Sequence, residues 1–326
     1  MGRITPPDYE VMFSVEVTTY NKEKYIAQAL DSILTQEHNY KYEILVSDDC
    51  STDNTPNIIK EYAARFPDII KPVYNERNIG GMANYYATVS RAKGKYLMDC
   101  AGDDCWLPGK VEKQIKFMEN NINFDICYGY AKAINENNEL VNNTFGDHYG
   151  DYKDIFFIGN NVPSLTMCIR KSFFDEYLSI IEPDQKNWNM EDLPFLLYTV
   201  FENRNIYFFN EVIASYRILP ESLSHSRSLE KAFLFAKGSY TIRRFFADRY
   251  GISYPKFDCE KELLNKYNEK KKVTDNKKKL KNELKEVCMK YNIKLSLNLL
   301  FYIKRFLKYC LPYGLIVLLR RNRCKN

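Results

Sequence analysis

The chain has 326 residues, 45% of them apolar and 15% aromatic, enough for one large core with an appendage or for two modest cores. No apolar run approaches the roughly 18 residues a membrane-spanning helix needs, and the polar, Pro-containing stretch from Met1 to Glu10 leads us to expect no signal peptide. The net charge of +5 is uneven: from Lys256 to Asn326 there are 20 Lys and Arg against seven Asp and Glu, while the rest of the chain is acidic.

The predicted elements alternate. Val11–Thr18 is a short apolar, β-branched run and reads as a buried strand, and Lys24–Gln36 places apolar residues at helical spacing. Tyr42–Ser47 is a second strand. Thr52–Phe66 opens on Ser, Thr and Asp and continues as a helix. A strand at Ile70–Tyr74, a helix at Met82–Lys93 and a strand at Lys95–Cys100 complete a β/α pattern, which predicts a mostly parallel sheet with helices on both faces. Beyond Asp104 the rhythm loosens. Pro108–Asn120, Leu193–Phe201 and Leu229–Arg249 read as helices. Phe124–Ile134, Ser164–Arg170, Ile206–Phe209 and Ile213–Arg217 read as strands, and Lys261–Lys290 as a solvated helix or a partly disordered arm.

Nine Cys, an odd number with no C-x-x-C, argue for reduced structural thiols in a cytosolic compartment and against a disulfide frame or a zinc site. His38, His148 and His225 are far apart and form no triad pattern.

In open α/β sheets ligands bind beyond the carboxyl ends of the strands. Three polar motifs follow predicted strands: Thr18-Thr19-Tyr20-Asn21, Asp48-Asp49-Cys50-Ser51-Thr52-Asp53 and Gly102-Asp103-Asp104-Cys105-Trp106. Four carboxylates at one edge repel one another unless a cation or hydrogen-bond donors lie among them. A nucleoside diphosphate held through a divalent metal suits this set: Asp49 accepts from a base N–H, Tyr20 stacks on the base, and Asp103 with Asp104 holds Mg²⁺ or Mn²⁺. The competing uses are a helix cap for Asp48 and Asp49 with Ser51 and Thr52, and a plain turn for Asp103-Asp104.

The run Ser14–Lys22, then Ile44–Asp53, then Asn78-Ile79-Gly80-Gly81 leading through Ala92–Tyr96 to Gly102–Trp106, resembles glycosyltransferase family 2. The likeness is close over about residues 12–120, weaker to about 228 and absent from the Lys-rich stretch. It implies an α/β chain of the GT-A fold: a mostly parallel central sheet flanked by helices, here with a helical C-terminal extension. It also implies a nucleoside-diphosphate sugar donor, a divalent metal and inversion at the anomeric carbon. Thr18, Tyr20 and Asp49 match the family's nucleoside contacts, joined at the donor site by Asn21 and Asn78. Asp103 and Asp104 match its acidic metal motif, with Asp104 the better ligand. One departure stands out: many members carry an acid two positions before Asp103, where this chain has Ala101. Asp99 lies inside a strand and is expected to face elsewhere.

The family places its catalytic carboxylate at a helix start about 90 residues on, where this chain has Glu191-Asp192-Leu193-Pro194. Asp192 is the expected base and Glu191 the second choice; a helix dipole that favours acids is the alternative. Tyr216–Leu219 and Ser222–His225 resemble the loop after the base, so Arg217 or His225 is expected to close over the diphosphate, with a plain surface loop as the alternative. Trp106 and Trp188 either line an acceptor groove or sit in the core.

The expected organisation is a transferase domain over residues 9–228, with a nucleotide half to about 105 and an acceptor half from 106, then a helical Lys-rich extension over 229–326. Within the extension, Leu295–Leu311 is apolar with Lys304, Arg305 and Lys308 on one helical face, and arginines follow to residue 323. The segment at about 295–323 suits an interfacial helix on an anionic membrane, which puts the protein in the cytoplasm, peripheral on the inner face of the cell membrane. Packing on the catalytic body or a homodimer interface is the alternative. The expected partners are the donor and a glycan or lipid-linked acceptor in bacterial surface polysaccharide assembly, with no nucleic acid. Two other readings compete. A sugar-nucleotide pyrophosphorylase needs a Gly-rich phosphate loop that Thr18–Lys22 lacks, and an inactive nucleotide-sugar binder would have lost the base.

Overall fold

Four apolar segments become four parallel strands, and their burial explains why they read so clearly. A computed structural model describes residues 10–149, 153–157, 159–219, 228–274 and 276–295. In chain order these form β1 (Phe13–Thr19), α1 (Ile26–Leu34), β2 (Tyr42–Asp48), α2 (Thr55–Arg65), β3 (Ile70–Tyr74), α3 (Gly81–Val89) and β4 (Tyr96–Asp99). Then come β5 (Cys105–Trp106), α4 (Lys110–Asn120), β6 (Ile126–Ile134), β7 (Leu140–Phe145), α5 (Asp154–Phe157), β8 (Cys168–Arg170), α6 (Lys171–Ile181), α7 (Asp192–Phe201) and β9 (Ile206–Arg217). Helices α8 (Leu229–Arg249), α9 (Cys259–Val273) and α10 (Lys277–Lys290) close the described chain.

The sheet order is β3-β2-β1-β4-β8-β6-β9-β5, with β7 on the side of β6. From β3 to β4 every pairing is parallel. Past β4 the directions mix, with β8 antiparallel to β4 and β6, and β9 parallel to β6. Ile206–Phe209 and Ile213–Arg217, predicted as two strands, are one strand. The register with β6 slips around Tyr130, so the break in the apolar pattern at Asn210-Glu211 is an irregularity inside a continuous ladder.

One sheet face carries Val15, Val17, Val46 and Met98 against Ile26, Leu30 and Ile33 of α1, Ile59 of α2 and Ile115 of α4. The other carries Leu45 and Leu97 against Tyr85, Tyr86 and Val89 of α3, the Phe173, Phe174 and Tyr177 rings of α6, and Phe195 and Leu196 of α7. Each such side chain contributes roughly 1.5–3 kcal/mol by leaving water, which is why helical spacing alone located α1 and α7.

The described residues fall into two compact units: one within 1–227 together with Leu234–Phe257, the other Ser228–Phe233 with the chain from Asp258. In the second, the Lys-rich arm is two helices, capped by Asp258 accepting from Lys261 N–H and by Asn276 accepting from Lys279 N–H. Leu263, Leu280 and Val287 are its buried residues on those helices. No helix among the described residues is long and apolar enough to cross a membrane. The amphipathic segment expected at about 295–323 lies, from residue 296 on, outside the described residues.

Candidate functional site

Parallel strands deliver their carboxyl ends to one rim. Thr19 at the end of β1 pairs with Asp48 at the end of β2, and Asp48 pairs with Tyr74 at the end of β3. The loops beyond are tied through the backbone: Asp49 N–H donates to Thr19 O at 2.9 Å and Gly102 N–H to Thr18 O at 3.0 Å. Thr18 near the end of β1, and Tyr20, Asn21, Asp49, Asn78 and the Asp103-Asp104 turn on the loops beyond the strands, therefore stand at the same rim.

Asp49 is 3% exposed and held by the loop that leads into α3. Its Oδ1 accepts from Asn75 Nδ2 at 3.0 Å and Ile79 N–H at 2.8 Å, and its Oδ2 from Gly80 N–H at 2.9 Å. Free N–H groups at a helix start stabilise a carboxylate, and here they answer the repulsion expected at this edge. Gly80 reaches Asp49 with φ of 89°, a conformation that favours glycine. Asn78 Nδ2 donates to Asp49 O at 3.1 Å and so pins the same loop.

Asp48 turns to its own loop, accepting from Ser51 N–H at 3.0 Å and Ser51 Oγ at 2.5 Å. Neither aspartate caps α2, whose N-cap residue is Asn54; Asp48 instead closes a turn within its own loop. Asn21, at φ 52°, joins the first two loops: its Oδ1 accepts from Thr52 N–H at 2.8 Å and its N–H donates to Ser51 Oγ at 2.8 Å. Tyr20 stands beside it with its ring 44% exposed.

The acidic turn is held from behind. A Cβ on Gly102 would lie 2.6 Å from Thr19 Oγ1, so only glycine lets this turn approach β1. Asp103 Oδ2 pairs with Lys22 Nζ at 2.8 Å, a second answer to the crowding of carboxylates. Asp104 Oδ1 accepts from Arg217 N–H at 2.8 Å, and burial first, then the Asp103 charge, push its carboxyl well above the usual range.

Arg217 itself is 2% exposed. Its guanidinium donates to Asp103 O at 2.7 Å, Asn135 O at 2.9 Å and Gln28 Oε1 at 2.9 Å, and lies over the Tyr25 ring. A side chain so committed braces the turn; it does not swing over a ligand. Its expected companion His225, with Ser222 to Ser224, lies outside the described residues.

Glu191 and Asp192 open α7, both half-buried. Asp192 Oδ2 accepts from Asn160 Nδ2 at 2.7 Å, and its Oδ1 from Leu193 N–H at 2.7 Å. Poor solvation raises the Asp192 carboxyl, while its hydrogen bonds and the nearby Arg243 hold it down. Glu191 is pushed up to about 8 by poor solvation and by the Asp192 charge. At neutral pH Glu191 therefore keeps its proton.

Asp99 lies inside β4, and the charges that act on it are those of Lys110 and Asp192, not those of the Asp103-Asp104 turn. It is within electrostatic reach of Asp192, at 6% exposure, on the same sheet face as Glu16, its partner across β1 and β4. Trp106 and Trp188 both lie in the core, at 3% and 9% exposure. Trp106 Nε1 donates to Asp99 O at 3.1 Å, and Trp188 packs on Phe245. Sequence reasoning missed Lys22, Asn160, Glu16 and Asp99. Glu16 carried a signal, an acid between Val15 and Val17 in a buried strand, and Asp99 ends the buried β4.

Among the described residues no group of three or more His, Cys, Asp or Glu could hold a metal. The turn supplies two carboxylates, which fits a divalent ion that takes one or two carboxylates and draws its remaining ligands from phosphate and water.

The profile of Glycosyl transferase family 2 matches residues 14–178. The chain belongs to that family. The match ends before Asp192 and Arg217. An uncharacterized glycosyltransferase of Methanocaldococcus jannaschii is 28% identical over 241 residues, 73% of this chain and 80% of that protein. TuaG of Bacillus subtilis, a glycosyltransferase named for teichuronic acid biosynthesis, is 28% identical over 221 residues, 68% of this chain and 84% of its own. An uncharacterized Mycobacterium tuberculosis protein is 40% identical over 124 residues, but that match spans only 36% of its length.

Among solved structures, S. aureus TarS in complex with UDP-GlcNAc superposes with a TM-score of 0.52 at 20% identity, covering 79% of this chain and 80% of that one. A mannosyltransferase from Pyrobaculum calidifontis, in complex with GDP-Man and Mn²⁺, gives 0.53 at 14%, covering 93% and 82%. These likenesses carry the fold, which is the mixed α/β, GT-A arrangement the family implies.

Proposed function

We propose that this family 2 glycosyltransferase moves a sugar, with inversion, from a nucleoside diphosphate to a hydroxyl of a glycan or lipid-linked acceptor in bacterial surface polysaccharide assembly. The observation that carries this is the convergence of three loops, with Tyr20, Asp49 and Asp103-Asp104, at the carboxyl ends of parallel strands. Tyr20 offers an exposed ring to the base, and Asp49 Oδ2, with one protein donor, retains a lone pair for a base N–H. Asp103 and Asp104 are the residues that would hold Mn²⁺ or Mg²⁺, which when bound neutralises charge on the departing diphosphate. UDP- and GDP-linked donors are the first to try, since relatives of this fold are described with UDP-GlcNAc and GDP-Man.

Asp192 is the base. It is the carboxyl with two protein donors, the arrangement that favours the ionised form, whereas Glu191 keeps its proton at neutral pH. Asp192 takes the proton as the acceptor oxygen forms its bond to the anomeric carbon. The bond from that carbon to the diphosphate oxygen breaks on the opposite side, and the electron pair leaves with the diphosphate. A single displacement needs no nucleophilic side chain.

The segment at about 295–323 remains our proposed contact with an anionic membrane at the cytoplasmic face. The experiment that tests the central reading is a thermal-shift screen of nucleoside-diphosphate sugars with and without Mn²⁺, followed by transfer assays with the donor that binds. A donor that binds should raise the melting temperature, and the rise should grow with the logarithm of its concentration above Kd. No stabilisation by any donor, with or without metal, would end the proposal.

A further inference from the structure

Glu16 in β1 and Asp99 in β4 are direct partners across a parallel ladder. Val15, Val17 and Met98 beside them belong to one core, so Glu16 and Asp99 point to the opposite face, that of Leu97 and Tyr85. They are 2% and 6% exposed, and among the described residues Glu16 Oε1 and Asp99 Oδ1 have no hydrogen-bond partner, while Thr18 donates to the Glu16 carboxyl group. Glu43, also buried in this sheet, makes the contrast: its Oε1 accepts from Ser14 Oγ and Lys93 N–H.

The charged and titratable groups facing this pair come from every element around it. Glu191 and Asp192 face it from α7, and Tyr85 from α3. Lys110 approaches from α4, its ammonium held by Gln114 and the Trp106 ring, and Arg91 lies toward Glu16. Around Asp192 stand Asn160, Arg243 of α8, and the hydroxyls of Tyr86 and Tyr177; Asp184 acts on Tyr86.

We propose that Asp99, paired with Glu16, is a positioning residue for transfer, whose charge sets how strongly Asp192 binds the acceptor proton. The proposal rests on the reading of Asp192 as the base. Carboxyl groups crowded in a poorly hydrated pocket cannot all ionise, and they titrate as a set. Burial lifts Asp99 to about 7, with Lys110 pulling it down and the Asp192 charge pushing it up. Burial, then the Asp99 charge, lift Glu16 well above the usual range. The Asp192 charge thus acts on Asp99, which ionises near neutrality, while burial and the Asp99 charge disfavour the ionised form of Glu16. Once Asp99 is ionised, its charge repels that of Asp192 and makes Asp192 the stronger base.

The test is the pH dependence of kcat. The native enzyme should rise in two steps, the upper one near pH 7, where Asp99 ionises. In Asp99→Asn the upper step should vanish and the plateau above it fall by about three- to tenfold, with donor KM unchanged. Glu16→Gln, which imitates a protonated acid, should keep both steps. Tyr85→Phe, which removes a neutral hydroxyl from the same pocket, should keep them too. An upper step that survives Asp99→Asn, or one lost equally in Glu16→Gln or Tyr85→Phe, overturns the proposal.

A second readout needs no turnover. Asp99 has a raised affinity for its proton in the folded state, so its contribution to stability is full below its unfolded pKa and is lost as pH rises through about 7. Asp99→Asn should therefore flatten the fall of Tm with pH. An unchanged slope would sink the acid pair itself. Turnover retained by Asp192→Asn, with the Tm slope flattened in Asp99→Asn, would instead sink only the assignment of the base.

Discussion

Asn160 donates from Nδ2 to Asp192 Oδ2 at 2.7 Å, and its own Oδ1 accepts from Val162 N–H, so one short segment both shapes its turn and aims the proposed base. A hydrogen bond to a charged group contributes about 1.5–3 kcal/mol, so Asn160→Ala should lower kcat by about tenfold or more. Losing a donor that favours the ionised form also raises the Asp192 pKa, so the acid limb of kcat should move to higher pH. A kinetic profile matching the native enzyme would show that the contact has no catalytic consequence.

Asp192→Asn removes the proton acceptor and keeps the shape. A general base contributes about 10²–10⁴ in rate, so transfer should fall by that factor while donor Kd, read by calorimetry, stays within about twofold. Retained turnover would reject the assignment.

The acidic turn predicts a metal effect that can be read without chemistry. Mn²⁺ together with a nucleoside diphosphate should raise the native Tm more than either alone, and Asp103→Asn and Asp104→Asn should each lose most of that extra rise. The Lys22–Asp103 pair is partly exposed and contributes at most about 1 kcal/mol, so Asp103→Asn should leave the unliganded Tm nearly unchanged. An equal Mn²⁺ effect in both variants would place the metal elsewhere.

Gly102→Ala brings a Cβ to 2.6 Å from Thr19 Oγ1 and 2.7 Å from Thr19 Cβ. Overpacking of this kind costs about 1–3 kcal/mol, measurable as a lower urea midpoint, and it displaces the turn. Donor binding should weaken along with stability. A variant as stable as the native chain would mean the loop yields without strain.

For the tail, sedimentation with anionic vesicles should fall sharply when the chain ends at Lys290, and raised salt should release the full-length protein. Equal sedimentation of the two chains would remove the membrane contact.

In the parallel half of the sheet β1, β2 and β4 were readable because they are buried on both faces and rich in β-branched and apolar residues, and the half-exposed edge strand Ile70–Tyr74 still matched to the residue. β7 was missed because Leu140–Phe145 is an exposed strand with two Asn and no alternation to betray it, and β5 because two residues carry no period. α6 was overlooked although Phe173, Phe174, Tyr177 and Ile181 lie at helical spacing. In the site, the loop residues were legible from their order after strands. Asn160 was not, because an isolated Asn in a loop has nothing in its neighbourhood that points 32 positions ahead.

The guanidinium at the end of β9 makes the donor half inseparable from the rest. The turn bearing Asp103 and Asp104 leans on a residue synthesised more than a hundred positions later, which also grips Gln28 and Asn135. A shortened chain that stops before residue 217 would keep all four parallel strands and still deprive Asp104 Oδ1 and the Asp103 carbonyl of their Arg217 donors. Minimal nucleotide-binding versions of this protein, and chimeras spliced between the two halves, should therefore be cut after β9.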